Sequence, residues 1–335
     1  MADVAAAAGV SGQTVSRVVN GSPRVDPGTR SRVETAMVRL GYRPHRAARA
    51  LRTGRTQTIG LVVSTLATVG NSRMLQAVTD AAASRGYALT VVALGGPDAV
   101  ADAFARLHDQ GVDGAIVLNE ATVFARDAGI PPGIAVVVVD SPPDGRFGIV
   151  QTDHATGARA ATEYLLSRTH DGASPDVGHD GAVHDVVWHL GGPPASFAAA
   201  ERERGWRLGL GARSAPPVLR GDWTASSGYD AALRLPVDAT AVFAANDQMA
   251  LGLLRGLFDA GRRVPDDVEV IGFDDIEDAA QYRPPLTTVR QDFDALGAEA
   301  VAMLVATIEG GRASSGALIA TSLVVRESTR RRPGG

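Results

Sequence analysis

DVAAAAGVSGQTVSRVVNG, residues 3–21, reads as two short helices around a tight turn. Ala2–Ala8 forms the first helix and Gly9 stops it. Ser11 is a good N-cap for a second helix over Thr14–Asn20, which Asn-Gly at 20–21 ends. Val4 and Ala5 point inward, Val10 plugs the space between the helices, and Val15 and Val18 hold the second helix down. Gly12, Gln13, Ser16 and Arg17 are left facing outward near the N-terminus of that helix. This is where base edges lie when such a helix enters the major groove. Gln13 can pair bidentately with adenine and Arg17 with guanine. Ser11, Thr14 and Ser16 suit phosphate contacts, which position without specifying.

Working outward, Pro27 opens a third helix, with Val33, Ala36, Met37 and Leu40 on one apolar face, and Gly41 ends it. Pro44 breaks the chain. His45–Leu51 is long enough for a short fourth helix, and Arg52–Thr58 is a polar linker. Charge supports a nucleic-acid role for this end. The whole chain carries only −4, but residues 1–55 hold ten Arg against three acids, a net of +7, leaving −11 on the rest. A basic head on an acidic body is the footprint of phosphate binding by one end.

From Ile59 onward short apolar runs recur: Ile59–Val63, Leu89–Leu94, Ala115–Leu118, Ala135–Val139, Val186–Leu190, Ala241–Ala244 and Val268–Ile271. Helix-length stretches such as Met74–Arg85 and Ala99–Gln110 separate most of them. This alternation means parallel sheets covered on both faces, an α/β core. About 275 residues is too many for one such sheet, so two lobes are expected. Ligands of open parallel sheets bind beyond the carboxyl ends of the strands, so a cleft between lobes would be lined by residues that follow each run.

Several classes are excluded. There are no cysteines, hence no disulfides and no thiolate site. No apolar run is long enough to span a bilayer, and the opening Met-Ala-Asp-Val lacks a basic signal region, so a cytoplasmic protein is expected. GxSxG, P-loop and HExxH motifs are missing, so no catalytic residue, cofactor or metal is assigned. Residues 169–185 read as an exposed polar loop. Its His170, His179 and His184, with His189 beyond, match no compact ligand spacing.

The headpiece stretch, followed by VDPGTRSRVETAMVRLGYRP at 25–44, closely resembles the lactose-repressor (LacI) family of transcriptional regulators. So do GDWTASSG at 221–228, AANDQMALG at 244–252 and GFDDIEDAAQYRPPLTTVRQDF at 272–293. The resemblance implies a helix-turn-helix headpiece over 1–44 and a hinge helix and linker over 45–57. A core like the periplasmic sugar-binding proteins would cover 58–332, with one lobe over 58–167 and 290–316 and the other over 168–289 and 317–332. Three crossovers would join the lobes.

On DNA the resemblance adds Asn20 to the contact set. It puts Ala48 at the minor-groove floor and makes Leu51 the apolar wedge that unstacks a central step. His45 stands where Asn is usual, and Gly12 presents no side chain at a position that often reads a base. In the core it implies a sugar site of Asn119, Arg202, Trp223, Asn246, Asp274, Gln291 and Phe293, with Leu66, Gly70, Asn71 and Met74 as a wall. Asn, Asp and Arg hydrogen-bond adjacent hydroxyls, and Trp offers a flat face to a pyranose. Thr156 stands where an acid, and Ala198 where a serine, is expected.

Local readings of the same residues stay open: Asn246 as an N-cap, Arg202 in Glu-Arg-Glu-Arg as a solvated helix face, Trp223 as core. The resemblance implies a galactoside or similar glycoside inducer acting on a homodimer bound to a pseudo-palindromic operator. The alternatives are a corepressor mode, in which a purine or other small ligand tightens DNA binding, and a transport sugar-binding protein. Family members also carry residues before the position of Asp3, so a late start or weakened headpiece is expected. The chain's last residues show no leucine heptads, which favours a dimer over a tetramer.

Overall fold

The computed structural model describes all of 1–335 except residues 20, 43–53, 95–98, 120, 123–132, 144, 171–181, 184–185, 312–315 and 330–335. The chain divides into two compact units, Met1–Gln57 and Thr58–Gly335.

In the first unit, α1 spans Ala2–Ala8, α2 Gly12–Val19 and α3 Pro27–Arg39. Gly9 closes α1 in the left-handed region at φ 65°, a conformation that glycine adopts without steric cost. Ser11 Oγ accepts from Thr14 N at 3.1 Å, the expected cap, but α2 begins at Gly12 rather than Thr14. Asp26 caps α3 by accepting from Thr29 N at 2.9 Å, and Thr29 holds its carboxyl below the usual range. Val4, Ala5, Val15, Val18, Val33 and Ala36 form the buried core. Leu40 is the exception to the expected apolar face. It lies past the last helical turn and is exposed, and Tyr42 folds back to pack there instead, its N–H donating to Met37 O at 2.9 Å.

The second unit holds two six-stranded sheets. The first is built from β1 (Thr58–Val63), β2 (Ala88–Ala93), β3 (Gly114–Leu118), β4 (Ala135–Val139), β5 (Gly148–Thr152) and β13 (Gly316–Ile319), in the order β13-β5-β4-β3-β1-β2, all parallel. Helices α4 (Val69–Ser84), α5 (Val100–Asp109) and α10 (Phe293–Ile308) cover it. The second sheet contains β8 (Trp188–Gly191), β9 (Leu219–Arg220), β10 (Ala241–Ala244), β11 (Glu269–Asp274), β12 (Thr287–Arg290) and β14 (Ser322–Val324). Its order is β14-β12-β11-β10-β8-β9, with only β14 antiparallel. Helices α6 (His154–Leu166), α7 (Phe197–Leu210), α8 (Ala225–Arg234) and α9 (Asp247–Asp259) cover this one.

Each of the seven apolar runs overlaps a strand. The strands not read from sequence are short and mixed, such as Thr287–Arg290, and owe their pairing to neighbours rather than to their own pattern. The chain passes between sheets three times: before α6, between β12 and α10, and between β13 and β14. These crossings correct the expected lobe limits. Helix α6 packs on α7 and on strands of the second sheet, so the first lobe ends near 153, not 167. Gly157 makes this possible, since a side chain there would overlap Thr321 and Val289. The first lobe also runs through β13 to 319 rather than 316.

Within the expected loop, Thr169–His170 (β6) pairs antiparallel with Ala182–Val183 (β7). His179 and His184 lie outside the described residues. His189 belongs to β8 and is fully buried, which separates it from the loop.

Candidate functional site

In the headpiece, Ser11, Gly12, Gln13 and Arg17 are exposed, and Thr14 and Ser16 half-buried. The buried side of α2 is Val15 and Val18, three residues apart. That spacing turns Gln13 and Arg17, one turn apart, onto a common solvent face. Asn20, His45, Ala48 and Leu51 lie outside the described residues.

In the core, one cavity is lined by Thr68, Gly70, Asn71, Met74, Asn119, Asp140, Ala198, Arg202, Trp223, Asn246, Asp274, Gln291 and Phe293. It gathers ten of the eleven residues marked for a ligand. The eleventh, Leu66, lies in the turn after β1, 39% exposed and outside that lining. Thr156 is exposed in the first turn of α6 and lies outside that lining.

The residues converge because they sit at strand ends. Asn119 follows β3, Asp140 follows β4, and Asp274 closes β11. Asn119, Asp140, Trp223, Asp274 and Asp275 all have positive φ (46°, 51°, 75°, 119° and 54°), sparsely populated for residues with a Cβ. Such outliers persist only where surroundings over-determine them, and they cluster at ligand sites.

Hydrogen bonds supply that constraint. Asn119 Nδ2 donates to Asn71 Oδ1, and Asn71 Nδ2 to Thr65 O at 2.9 Å. Asn246 caps α9 by accepting from Met249 N at 2.8 Å, while its Nδ2 donates to Trp223 O at 3.1 Å. Asn246 is thus both the N-cap of α9 and part of the cavity lining. The Trp223 indole lies on Gly192, where a Cβ would overlap its ring carbons.

Arg202 is 5% exposed. The neighbouring charges of its Glu-Arg-Glu-Arg run pair outside, Glu201 with Arg204 at 2.6 Å and Glu203 with Arg207 at 2.8 Å. Arg202 turns inward because Gly205 and Gly209 press α7 onto α6 and set its rotation. Its guanidinium lies 4.0 Å from the centre of the Phe273 ring and 5.5 Å from that of Trp223, a cation–π arrangement. It donates to Ala245 O and sits 3.4 Å from Asp274 Oδ1. Gln291 Nε2 donates to the same oxygen at 2.6 Å. Burial raises the Asp274 carboxyl above its usual range, against the pull of Arg202 and Gln291.

Beneath lies Asp247, fully buried, whose carboxylate accepts from Ile276 N at 2.9 Å and Thr288 Oγ1 at 2.6 Å. Burial, and then the nearby Asp274 charge, raise its pKa well above normal. On the other side His154 is buried, its Nε2 3.2 Å from Asp140 Oδ1 across the two lobes.

Sequence reasoning missed Thr68 and Asp140. The signal for Asp140 was present: it follows the run Ala135–Val139 just as Asn119 follows Ala115–Leu118.

Flat aromatic surface, amides, one buried guanidinium and two carboxylates make a neutral polyhydroxylated ligand the natural occupant. Among the described residues no group of His and acids could hold a metal, and no helix is long and apolar enough to cross a membrane.

Comparison with known proteins agrees with this architecture. Residues 1–45 match the model for bacterial regulatory proteins of the lacI family, and 181–329 that for a periplasmic binding protein-like domain. The lactose operon repressor of Escherichia coli (strain K12) is 34% identical over 98% of this chain and 89% of its own length. The transcriptional regulator CelR of Thermobifida fusca is 36% identical over 97% and 96%. A crystal structure of the Lac repressor dimer bound to operator and the anti-inducer ONPF superposes with a TM-score of 0.81 at 32% identity, covering 98% of each chain. The chain belongs to the LacI family of bacterial regulatory proteins and is a DNA-binding transcriptional regulator.

Proposed function

We propose that this regulator is a repressor released from its operator by a sugar, a small glycoside, bound in the cavity between the lobes. The observation that carries the reading is the Trp223 face set beside Asn119, Arg202, Asn246 and Asp274 in one enclosure fed by both lobes. The repressor acts in the cytoplasm, and the core senses rather than catalyses. CelR, which shares this architecture, has been solved as a complex with cellobiose, so a β-glucoside is as natural a candidate as a galactoside.

Release requires that the sugar bind the DNA-free arrangement better than the DNA-bound one; otherwise it shifts nothing. Its effect on operator affinity is then the coupling free energy, about 1–3 kcal/mol, or roughly five- to 150-fold. The operator is two-fold and the repressor a homodimer. Asn20, His45, Ala48 and Leu51 complete the DNA contacts, with Leu51 as the wedge. Leu251 and Phe258 on α9 are large exposed apolar residues that suit a surface for a second copy.

The test is operator binding by fluorescence anisotropy with lactose, cellobiose, ribose and hypoxanthine added in turn. A disaccharide that weakens binding supports the reading. Hypoxanthine strengthening it, with every sugar inert, overturns both the ligand and the sign.

For the headpiece, Arg17→Ala costs about 1–3 kcal/mol on the preferred operator and relaxes preference at one base pair, because a bidentate contact to guanine is lost. Binding measured on a set of single-base operator variants checks this. Equal weakening on every sequence would show Arg17 to be a phosphate contact only.

A further inference from the structure

Three consecutive residues at the start of α9 each hold a different part of the cavity. Asn246 holds Trp223 through its main-chain oxygen. Asp247 holds the turn after Asp274 by accepting from Ile276 N. Gln248 reaches the other lobe: its Oε1 accepts from Val69 N at 3.1 Å. The first two act within the second lobe, and the third crosses the cleft.

Val69 is the first helical residue of α4, so its N–H has no partner within the helix. The cap residue Thr68 accepts from Asn71 N, not from Val69, and the donor is met from the opposite lobe instead. A second contact acts at the same place. The Val69 side chain packs against the buried apolar cluster of the second lobe, the one that holds Met249, Ile276 and Ala279. Around this point Thr68, Gly70, Asn71 and Met74 supply the first-lobe wall of the cavity.

We propose that Gln248 is a positioning residue that seats the first turn of α4 against the second lobe and so closes the cavity wall over its ligand. The side chain touches no ligand in this scheme; it acts through Val69 on Thr68, Gly70, Asn71 and Met74. Because the amide oxygen accepts, a carboxylate of the same length can replace it and an alkyl group cannot. The consequence for ligand retention rests on the proposed sugar site, but the seating itself does not.

The test is amide hydrogen exchange over residues 68–74 in the full-length, ligand-free protein, read by mass spectrometry. Gln248→Leu keeps the shape and removes the acceptor; Gln248→Ser shortens the side chain below reach. Both raise exchange in this segment roughly threefold to tenfold, the worth of one net hydrogen bond. Gln248→Glu stays within twofold of wild type, and exchange in α5 and α8 is unchanged in all three. The dissociation rate of whichever of lactose and cellobiose binds rises by the same factor in the Leu and Ser variants and not in the Glu variant. Unchanged exchange over 68–74 in both Leu and Ser variants overturns the proposal, as does a Glu variant that behaves like Leu. Wild-type protein that binds neither disaccharide sinks the sugar reading of the cavity, and the exchange result then decides the seating by itself.

Discussion

Asp274→Asn lowers glycoside affinity on the order of a hundredfold and leaves operator affinity within twofold. The two described contacts of the carboxylate, from Gln291 Nε2 at 2.6 Å and Arg202 Nη1 at 3.4 Å, both fall on Oδ1. The second oxygen is left to accept from a sugar hydroxyl. Asparagine can satisfy Gln291 only by turning its oxygen that way, which turns its NH₂ towards the ligand and replaces an acceptor with a donor. The substitution also removes the negative charge facing Arg202, itself 5% exposed. A hydrogen bond to a charged group is worth about 1.5–3 kcal/mol, which at the upper end is the stated hundredfold. Operator affinity is spared because Gln13 and Arg17 belong to the separate unit Met1–Gln57. Calorimetry with the bound disaccharide, beside anisotropy on the operator, measures both. Loss of operator binding together with sugar binding would mean that the variant unfolds the core, and a thermal melt distinguishes that outcome. Sugar affinity within threefold of wild type would remove Asp274 from the site.

The second large effect is on stability in acid. His189 is fully buried in β8, stacked on Phe243 at 5.0 Å and Trp206 at 5.2 Å between ring centres. Its Nδ1 lies 3.0 Å from Phe243 O; a carbonyl can only accept, so the proton is on Nδ1. Nε2 is buried with no hydrogen-bond partner among the described residues. Burial therefore lowers the His189 pKa from 6.5 to about 4, only partly opposed by the Phe243 carbonyl and Glu203, while the Arg220 and Arg202 charges lower it further. Between these two values the unfolded chain binds a proton that the folded chain refuses. Stability is thus fully present above pH 6.5 and falls as the pH drops towards about 4, by about 3 kcal/mol in all. Denaturant unfolding at pH 7 and pH 4.5 measures the loss. His189→Phe keeps the stacking, removes the titration and shrinks the pH difference by at least 2 kcal/mol (about 1.4 kcal/mol per pH unit). An unchanged pH difference in that variant would assign the acid sensitivity to other groups.

The amino-acid sequence alone determined the helical headpiece, the α/β core and most of the cavity lining. The headpiece is legible because its signals are local: a cap at Ser11, a left-handed glycine at Gly9, and the valines at 4, 15 and 18 at helical spacing. The cavity lining was marked through the family resemblance, and the sheet rule agrees with it: parallel strands deliver the residues that follow them to one edge, as with Asn119 and Asp274. Tertiary structure decided what depends on elements far apart in the chain. The lobe limit at 153 follows from α6 packing on α7 through Gly205 and Gly209 and on the second sheet through Gly157, contacts that no local pattern announces. The inward turn of Arg202, rather than Arg204 or Arg207, is set by that same packing, since all three read alike in a charged helical run. The burial of His189 comes from the aromatic rings of Trp206, on α7 17 residues away, and Phe243, which the sheet brings to it from 54 residues away. Gln248 was unremarkable in sequence, because its partner is a backbone N–H 179 residues distant and only folding places a helix N-terminus within its reach.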